Sequence, residues 1–445
     1  MKKLILSVGA LSAAVVSGSV ANVSDVVLRQ GDDNRVTVSY KLDAPAIVTV
    51  DFLTNGVSIG ERNFTDVMGD VNRLVSKVGE TCTIGWKPYR SWPNRTIGDS
   101  AFAAKVTAWA VDAPPDYLVV DLNVWGDSDY KANSVRYYVS TNALPNGGLA
   151  NDIYRKTKLV MRRVHATGIS QRYGSPNREP GRTAAWETPR LHTLSEDFYL
   201  AIYEFTQAQF QAVVGYKYAT FFNAADWEMR PMEYISYKTL RGATTGVSSW
   251  PTGDDPHAVD DWSPMDAIRR RTGLKVDLPT FAQWEFACRA GSETGLDSGL
   301  DITSSDVGAV CPNLGAIARY AGNVTVSSPT ASTPASDGGT AKVGSYRPNP
   351  WGFYDMHGNV AEVCLDFVDA NDNFWAKKGN VFAVGYPEID PTGPDTSASG
   401  HHLQVGGDYN DWPYACRTTS IYAMWYGSGD VKDCGFRLCC PIGLK

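Results

Sequence analysis

Several signatures that would fix a function are missing from this chain. Past Val20, no stretch approaches the ~20 consecutive apolar residues of a membrane-spanning helix. Lys and Arg number 41 against 48 Asp and Glu, a net charge of −7, and the basic residues form no cluster. That argues against nucleic acid or an anionic membrane surface as the main partner. No Cys-x2-Cys or mixed Cys/His spacing of a zinc site occurs. The six histidines (His165, His192, His257, His357, His401 and His402) build neither a His-Glu-x-x-His motif nor another metal spacing. There is no Gly-x-Ser-x-Gly nucleophile elbow, no phosphate loop and no internal repeat. Hydrolase, zinc-enzyme and nucleotide-binding classes therefore find no support.

The first segment reads as an export signal. Lys2 and Lys3 precede an apolar run from Leu4 to Val16, and Ser19-Val20-Ala21 forms a small-x-small cleavage site. Residues 1–21 are thus expected to be a signal peptide, and the protein secreted, periplasmic or displayed at the cell surface. Export permits disulfides, and eight cysteines are available: Cys82, Cys288, Cys311, Cys364, Cys416, Cys434, Cys439 and Cys440. Their spacing alone does not reveal a pairing. With 13 Trp, 22 Tyr and 15 Phe, aromatic residues can build the core of a loop-rich fold or furnish a contact surface.

A length of 445 residues fits two domains, at about 100–200 residues each. From 22 to 113 the pattern is β. Val36, Val38, Tyr40 and Leu42 alternate with polar residues, Val48, Val50 and Phe52 repeat the pattern, and Val106, Ala108 and Ala110 follow it. Turn signals at Gln30-Gly31-Asp32-Asp33 and Thr54-Asn55-Gly56 separate the runs. The expectation is a small immunoglobulin- or fibronectin-like β-sandwich serving as a spacer or adhesion module. Ala113-Pro114-Pro115 marks its end, and 114–150 is a connecting segment with strands at Tyr117–Val124 and Val135–Val139. The second domain, 151–445, has few helices, each clearly punctuated. Thr206 with Gln209, and Thr280 with Gln283, make capping boxes; Ser263-Pro264 opens a third helix that Gly273 closes. Phe281, Trp284 and Cys288 share one stripe of their helix. The rest is irregular, including a surface loop at 327–340.

Four segments stand out in order: Leu278-Pro279-Thr280-Phe281-Ala282-Gln283-Trp284-Glu285-Phe286-Ala287-Cys288-Arg289-Ala290-Gly291; Asn349-Pro350-Trp351-Gly352-Phe353-Tyr354-Asp355-Met356-His357-Gly358-Asn359-Val360-Ala361-Glu362; Gly406-Gly407-Asp408-Tyr409; and Gly435-Phe436-Arg437-Leu438. Together they resemble the sulfatase-modifying-factor family, founded on the formylglycine-generating enzyme. The resemblance covers residues from about 151 onward and implies an α+β, C-type-lectin-like domain.

In that family a Cys-x4-Cys pair after the Gly-Gly-Ser strand binds copper(I) and oxidises a substrate cysteine. A gap-free match here puts Asp411 at the first thiol and Cys416 at the second. A carboxylate is a hard oxygen ligand and does not replace a thiolate on copper(I), so no copper site is expected. Cys434 and Cys439 have the same arithmetic spacing, but they lie on the Gly-Phe-Arg strand, where odd separation sends side chains to opposite faces. The resemblance also implies a structural disulfide between Cys288 and Cys416. It further implies calcium held by Asp355 and Glu362 with the carbonyls of Gly358 and Val360, a set suited to an oxygen-seeking cation. Glu204-Phe205-Thr206 matches the family's opening motif and reads as a helix entry, not a catalytic acid.

Two functional readings follow. The first is a non-catalytic module that binds a protein or carbohydrate through an aromatic-rich surface of Tyr409, Asp411, Trp412, Tyr414, Tyr422, Trp425 and Tyr426. That composition is paratope-like and resembles the variable region of retroelement-diversified proteins. The second is a formylglycine-generating oxidase acting on a sulfatase cysteine, or an iron-dependent relative. The motifs supply neither the thiol pair nor a two-His, one-carboxylate set, and the balance of residues favours binding.

Overall fold

The computed structural model describes residues 6–7, 20–31, 33–93, 97, 101–123, 134–184, 187–242, 259–324, 338–367, 388–392, 401–423 and 432–442. Most of the apolar run of the expected signal peptide, and most of the 327–340 loop, lie outside them. No described helix is long and apolar enough to cross a membrane. The chain divides into two compact units at Tyr154 and Arg155, so that segment 114–150 groups with the first.

In the first unit the alternation seen in the sequence becomes two antiparallel sheets. One contains β1 (Val23–Gln30), β2 (Val36–Leu42) and β5 (Cys82–Trp86), with β2 between the other two. The other is built on β3 (Ala46–Thr54), which pairs with β4 (Arg73–Val75) on one side and β6 (Phe102–Trp109) on the other. Period-two alternation sends Val36, Val38 and Tyr40 from the first sheet, and Val48, Val50 and Phe52 from the second, into one core. Aromatic rings fill its centre: Phe52 stacks on Trp86 at 4.5 Å and on Phe102 at 5.8 Å between centroids. Two further strands, β7 (Tyr117–Asp121) and β8 (Val135–Tyr138), pair antiparallel.

The second unit has short sheets and three principal helices. β9 (Lys158–Val164) pairs with β10 (Phe198–Ala201). The helices α1 (Gln207–Val214), α2 (Pro264–Thr272) and α3 (Phe281–Arg289) start where the caps place them. Thr206 and Thr280 each accept from the backbone N–H three residues on, and Gln209 and Gln283 return the bond. Helix α3 ends at Arg289 and is capped by Ala290 in a left-handed conformation, φ 45°. All nine of its residues are buried, not only the Phe281–Trp284–Cys288 stripe, because loops cover the face that periodicity would have given to solvent.

A four-stranded sheet carries the remaining motifs. Its order is β13 (Ile421–Ala423), β12 (His402–Val405), β11 (Ala361–Phe367) and β14 (Cys434–Gly435). The last strand, β15 (Cys439–Pro441), pairs with β10. Register places Glu362 of β11 beside Gly435 and Val405, which brings three of the four sequence motifs to one place.

Candidate functional site

Arg437 is the hub of that place, and it is fully buried. Its Nε lies 2.9 and 2.7 Å from the two Glu362 oxygens, and Nη2 donates to Oε1 at 2.6 Å. The remaining guanidinium protons reach the carbonyls of Ala201 at 3.0 Å and Tyr354 at 2.9 Å. Trp284 of α3 donates to Glu362 Oε2 at 2.7 Å. One charge-assisted network thus ties the helix motif, the Asp355–Glu362 motif and the Gly-Phe-Arg strand together. Glu204 joins from the other side. Its carboxyl accepts from Asn359 Nδ2 at 2.6 Å and Val360 N at 3.2 Å, a positioning role that the sequence showed only as a helix entry.

Three buried carboxyl groups face this single guanidinium. Burial, then the charges of Asp355 and Glu362, push Glu204 well above the usual carboxylate range. Burial and Glu362 bring Asp355 up to about 6.

The same geometry bears on calcium. Both Glu362 oxygens are committed to Arg437 and Trp284, and Asp355 Oδ2 accepts from Gly344 N at 2.6 Å. A guanidinium occupies the side of Glu362 where a cation would need the negative charge to itself. Among the described residues no group of three or more His, Cys, Asp or Glu is arranged to hold a metal ion. The donor set at Asp355, Gly358, Val360 and Glu362 does not fit calcium. Gly358 has a different constraint: with φ 70°, an added Cβ would meet the Arg319 carbonyl oxygen at 2.0 Å.

The second cluster lies on the loop after β12. Gly407 has φ 67°, and a Cβ there would lie 2.9 Å from Cys416 Sγ, so only glycine lets the loop close over that sulfur. Asp411 Oδ2 accepts from Asp408 N at 3.1 Å, and its carbonyl accepts from Ala321 N at 2.9 Å. Tyr409 donates to Asp433 Oδ1 at 2.8 Å. Burial, then Asp411 and Asp433, push Asp408 well up; burial, then Asp433, bring Asp411 up to about 6.

Cys416 is fully buried, and burial followed by Asp411 and Asp408 raises its thiol well above the ordinary value. It is a neutral, enclosed thiol, the opposite of a reactive cysteine. Arg417 beside it is bound bidentate by Glu187 at 2.8 and 2.8 Å and also pairs with Glu179. These two acids carried no motif in the sequence.

The expected Cys288–Cys416 bond is not formed: all eight cysteines are free thiols. The reason is orientation. Cys288 Sγ faces Met356 O, His357 Nε2 and Thr418 Oγ1 at 3.8, 3.9 and 3.7 Å. Cys416 turns its carbonyl toward that side, 2.7 Å from His357 Nδ1, while its sulfur packs in a cluster with Cys311, Leu314 and Tyr320. The His357 ring therefore contacts both residues.

The expected binding surface divides. Trp412 and Tyr414 are exposed, at 45% and 37%, and Asp411 is half-buried beside them. Tyr409 is not a surface residue: it is 6% exposed, packed edge-on against Phe221 at 5.7 Å. Tyr422 pairs through its backbone with Gln404. Trp425 and Tyr426 lie outside the described residues.

The family described as sulfatase-modifying factor enzyme 1-like domain matches residues 164–441, more than half of the chain. The chain belongs to the sulfatase-modifying-factor family. Its second unit accordingly has the C-type-lectin-like fold that the motifs implied. Among curated relatives, it is similar to the formylglycine-generating enzyme of Thermomonospora curvata, 27% identical over 216 residues, covering 47% of this chain and 62% of that one. The Streptomyces coelicolor formylglycine-generating enzyme is 30% identical over 206 residues, covering 45% and 57%. The match thus spans less than two thirds of either relative. Among solved structures, Treponema denticola variable protein 1 aligns at 18% identity with a TM-score of 0.45, covering 64% of this chain and 96% of that one. PvdO from Pseudomonas aeruginosa aligns at 18% identity and 0.44, covering 64% and 94%.

Proposed function

We propose that this family member is an exported, non-catalytic binding module whose C-terminal loops present an aromatic surface to a protein or carbohydrate ligand. One observation carries the reading. At the place where the enzyme needs two thiolates, this chain has Asp411 and an enclosed, neutral Cys416. Copper(I) requires soft ligands that can lose their protons, and neither residue meets that need. What the loop offers outward is Trp412 and Tyr414 next to half-buried carboxylates. Large, rigid, amphipathic rings of this kind anchor ligands at small conformational cost. The retroelement-diversified type is one form such a surface would take. The N-terminal sandwich, read as immunoglobulin- or fibronectin-like, serves as a spacer or adhesion module, and calcium has no part in this reading.

Fold does not fix activity, so the test is turnover. Purified protein loaded with copper is incubated with a cysteine-containing sulfatase peptide, and products are followed by mass spectrometry. The expected result is unmodified cysteine. Copper-dependent formylglycine would reverse the proposal in favour of the oxidase.

A further inference from the structure

We infer that the first unit contains a binding site for one uncharged, polyhydroxylated ring, a monosaccharide or the terminal sugar of a glycan. The observation is a cavity of 190 Å³ on the face of β3 and β6 that points away from the core. Strand alternation produces it. Val48, Val50 and Phe52 of β3 turn inward, so Thr49 and Asp51 turn outward. On β6 the register partners of these two residues are Thr107 and Lys105. Residues of the Ser58–Val67 and Val139–Ala143 stretches line the other side.

The lining is unusual in what it leaves unbonded. Asp51 and Lys105 stand opposite each other in register, yet make no ion pair with each other among the described residues. Ser58 donates to Asp51 Oδ1 at 2.7 Å, which leaves Oδ2 open. Asn72 has φ 55°, a conformation that asparagine tolerates. Its backbone is pinned between Val48 O at 2.6 Å and Tyr137 N at 2.8 Å, and its side-chain amide has no partner among the described residues. The Thr107 hydroxyl is likewise unpartnered there. Trp109, held by a 2.8 Å bond from Nε1 to Thr49 Oγ1, and Phe64 supply apolar walls.

Charge and size select the ligand class. Asp51 and Glu61 repel an anion, and Lys105 opposes a cation. What remains is a neutral molecule that both donates and accepts, with C–H faces for an aromatic ring. A carboxylate, a primary amide, a hydroxyl and an ammonium match the paired donor and acceptor character of sugar hydroxyls. The volume is below the ~300–1,000 Å³ of drug-sized sites, so it admits one ring and not a chain. This site is independent of the C-terminal surface.

Saturation-transfer NMR on the purified full chain tests it, with methyl glycosides of glucose, galactose, mannose, N-acetylglucosamine and fucose as probes and glycine as control. The expected result is saturable transfer to at least one glycoside, with a dissociation constant of about 0.1–10 mM. Asp51→Asn and Thr107→Val, each on the outer face, should weaken it about tenfold while leaving the melting curve in place. Three outcomes would overturn the inference: no transfer to any glycoside, transfer that neither variant alters, or binding of glycine in their stead.

Discussion

Replacing Arg437 by Met is the sharpest perturbation of the second unit. Methionine keeps much of the volume and removes the charge, leaving Glu362, Glu204 and Asp355 buried together without a cation. Wild-type Arg437 makes three contacts within 2.9 Å to Glu362 and donates to three main-chain carbonyls, those of Ala201, Tyr354 and Asp355. Removing one partner of a buried pair costs about 3–5 kcal/mol. At about 2–4 °C per kcal/mol for a unit of this size, its melting transition should fall by roughly 6–20 °C.

The pH dependence gives a second check. Burial raises Asp355 to about 6 and pushes Glu204 well above the usual carboxylate range, so the folded state binds protons more tightly than the unfolded chain. Stability therefore falls as pH climbs from the ordinary carboxylate range through those raised values. Losing Arg437 raises them further, so the variant's deficit should be larger at pH 8 than at pH 5. Thermal and urea melts at both values decide it. A loss under about 1 kcal/mol, or one that does not vary with pH, would refute the network as described.

Three other outcomes are expected. Gly358→Ala should destabilise by about 3 kcal/mol or more, since positive φ adds to a clash with Arg319 O; a melt unchanged within about 0.5 kcal/mol would contradict this. Chelator should leave the melting midpoint unmoved because Glu362 is taken by Arg437; a drop restored by calcium would show that the cation displaces the guanidinium. Peptide mapping without reductant should show no Cys288–Cys416 link, as the sulfur atoms face different neighbours; recovery of that linked pair would restore the family bridge.

Much of the second unit was legible because local and global signals agree there. Capping boxes at Thr206 and Thr280 are short-range chemistry, and they appear where the sequence puts them. The four motifs are long enough to name the family. Their interplay is not legible: Glu362 reads as a metal ligand in the sequence, whereas register places it against Arg437, 75 residues away. Glu179 and Glu187 carry no motif and acquire meaning only through Arg417. Tyr409 read as surface by composition, but its hydroxyl finds Asp433 and its ring finds Phe221. Long-range pairing of buried charges leaves no periodic trace, and the outward face of β3 and β6 reads as ordinary alternation until a cavity is seen above it.

Copper(I) titration of the reduced, purified chain against a chromogenic chelator asks whether the Asp411–Cys416 loop can hold the enzyme's metal. The chelator should keep its copper, since a hard carboxylate and an enclosed neutral thiol offer no competing pair. Transfer of one equivalent to the protein, abolished by Cys416→Ser in a variant that still folds, would contradict it.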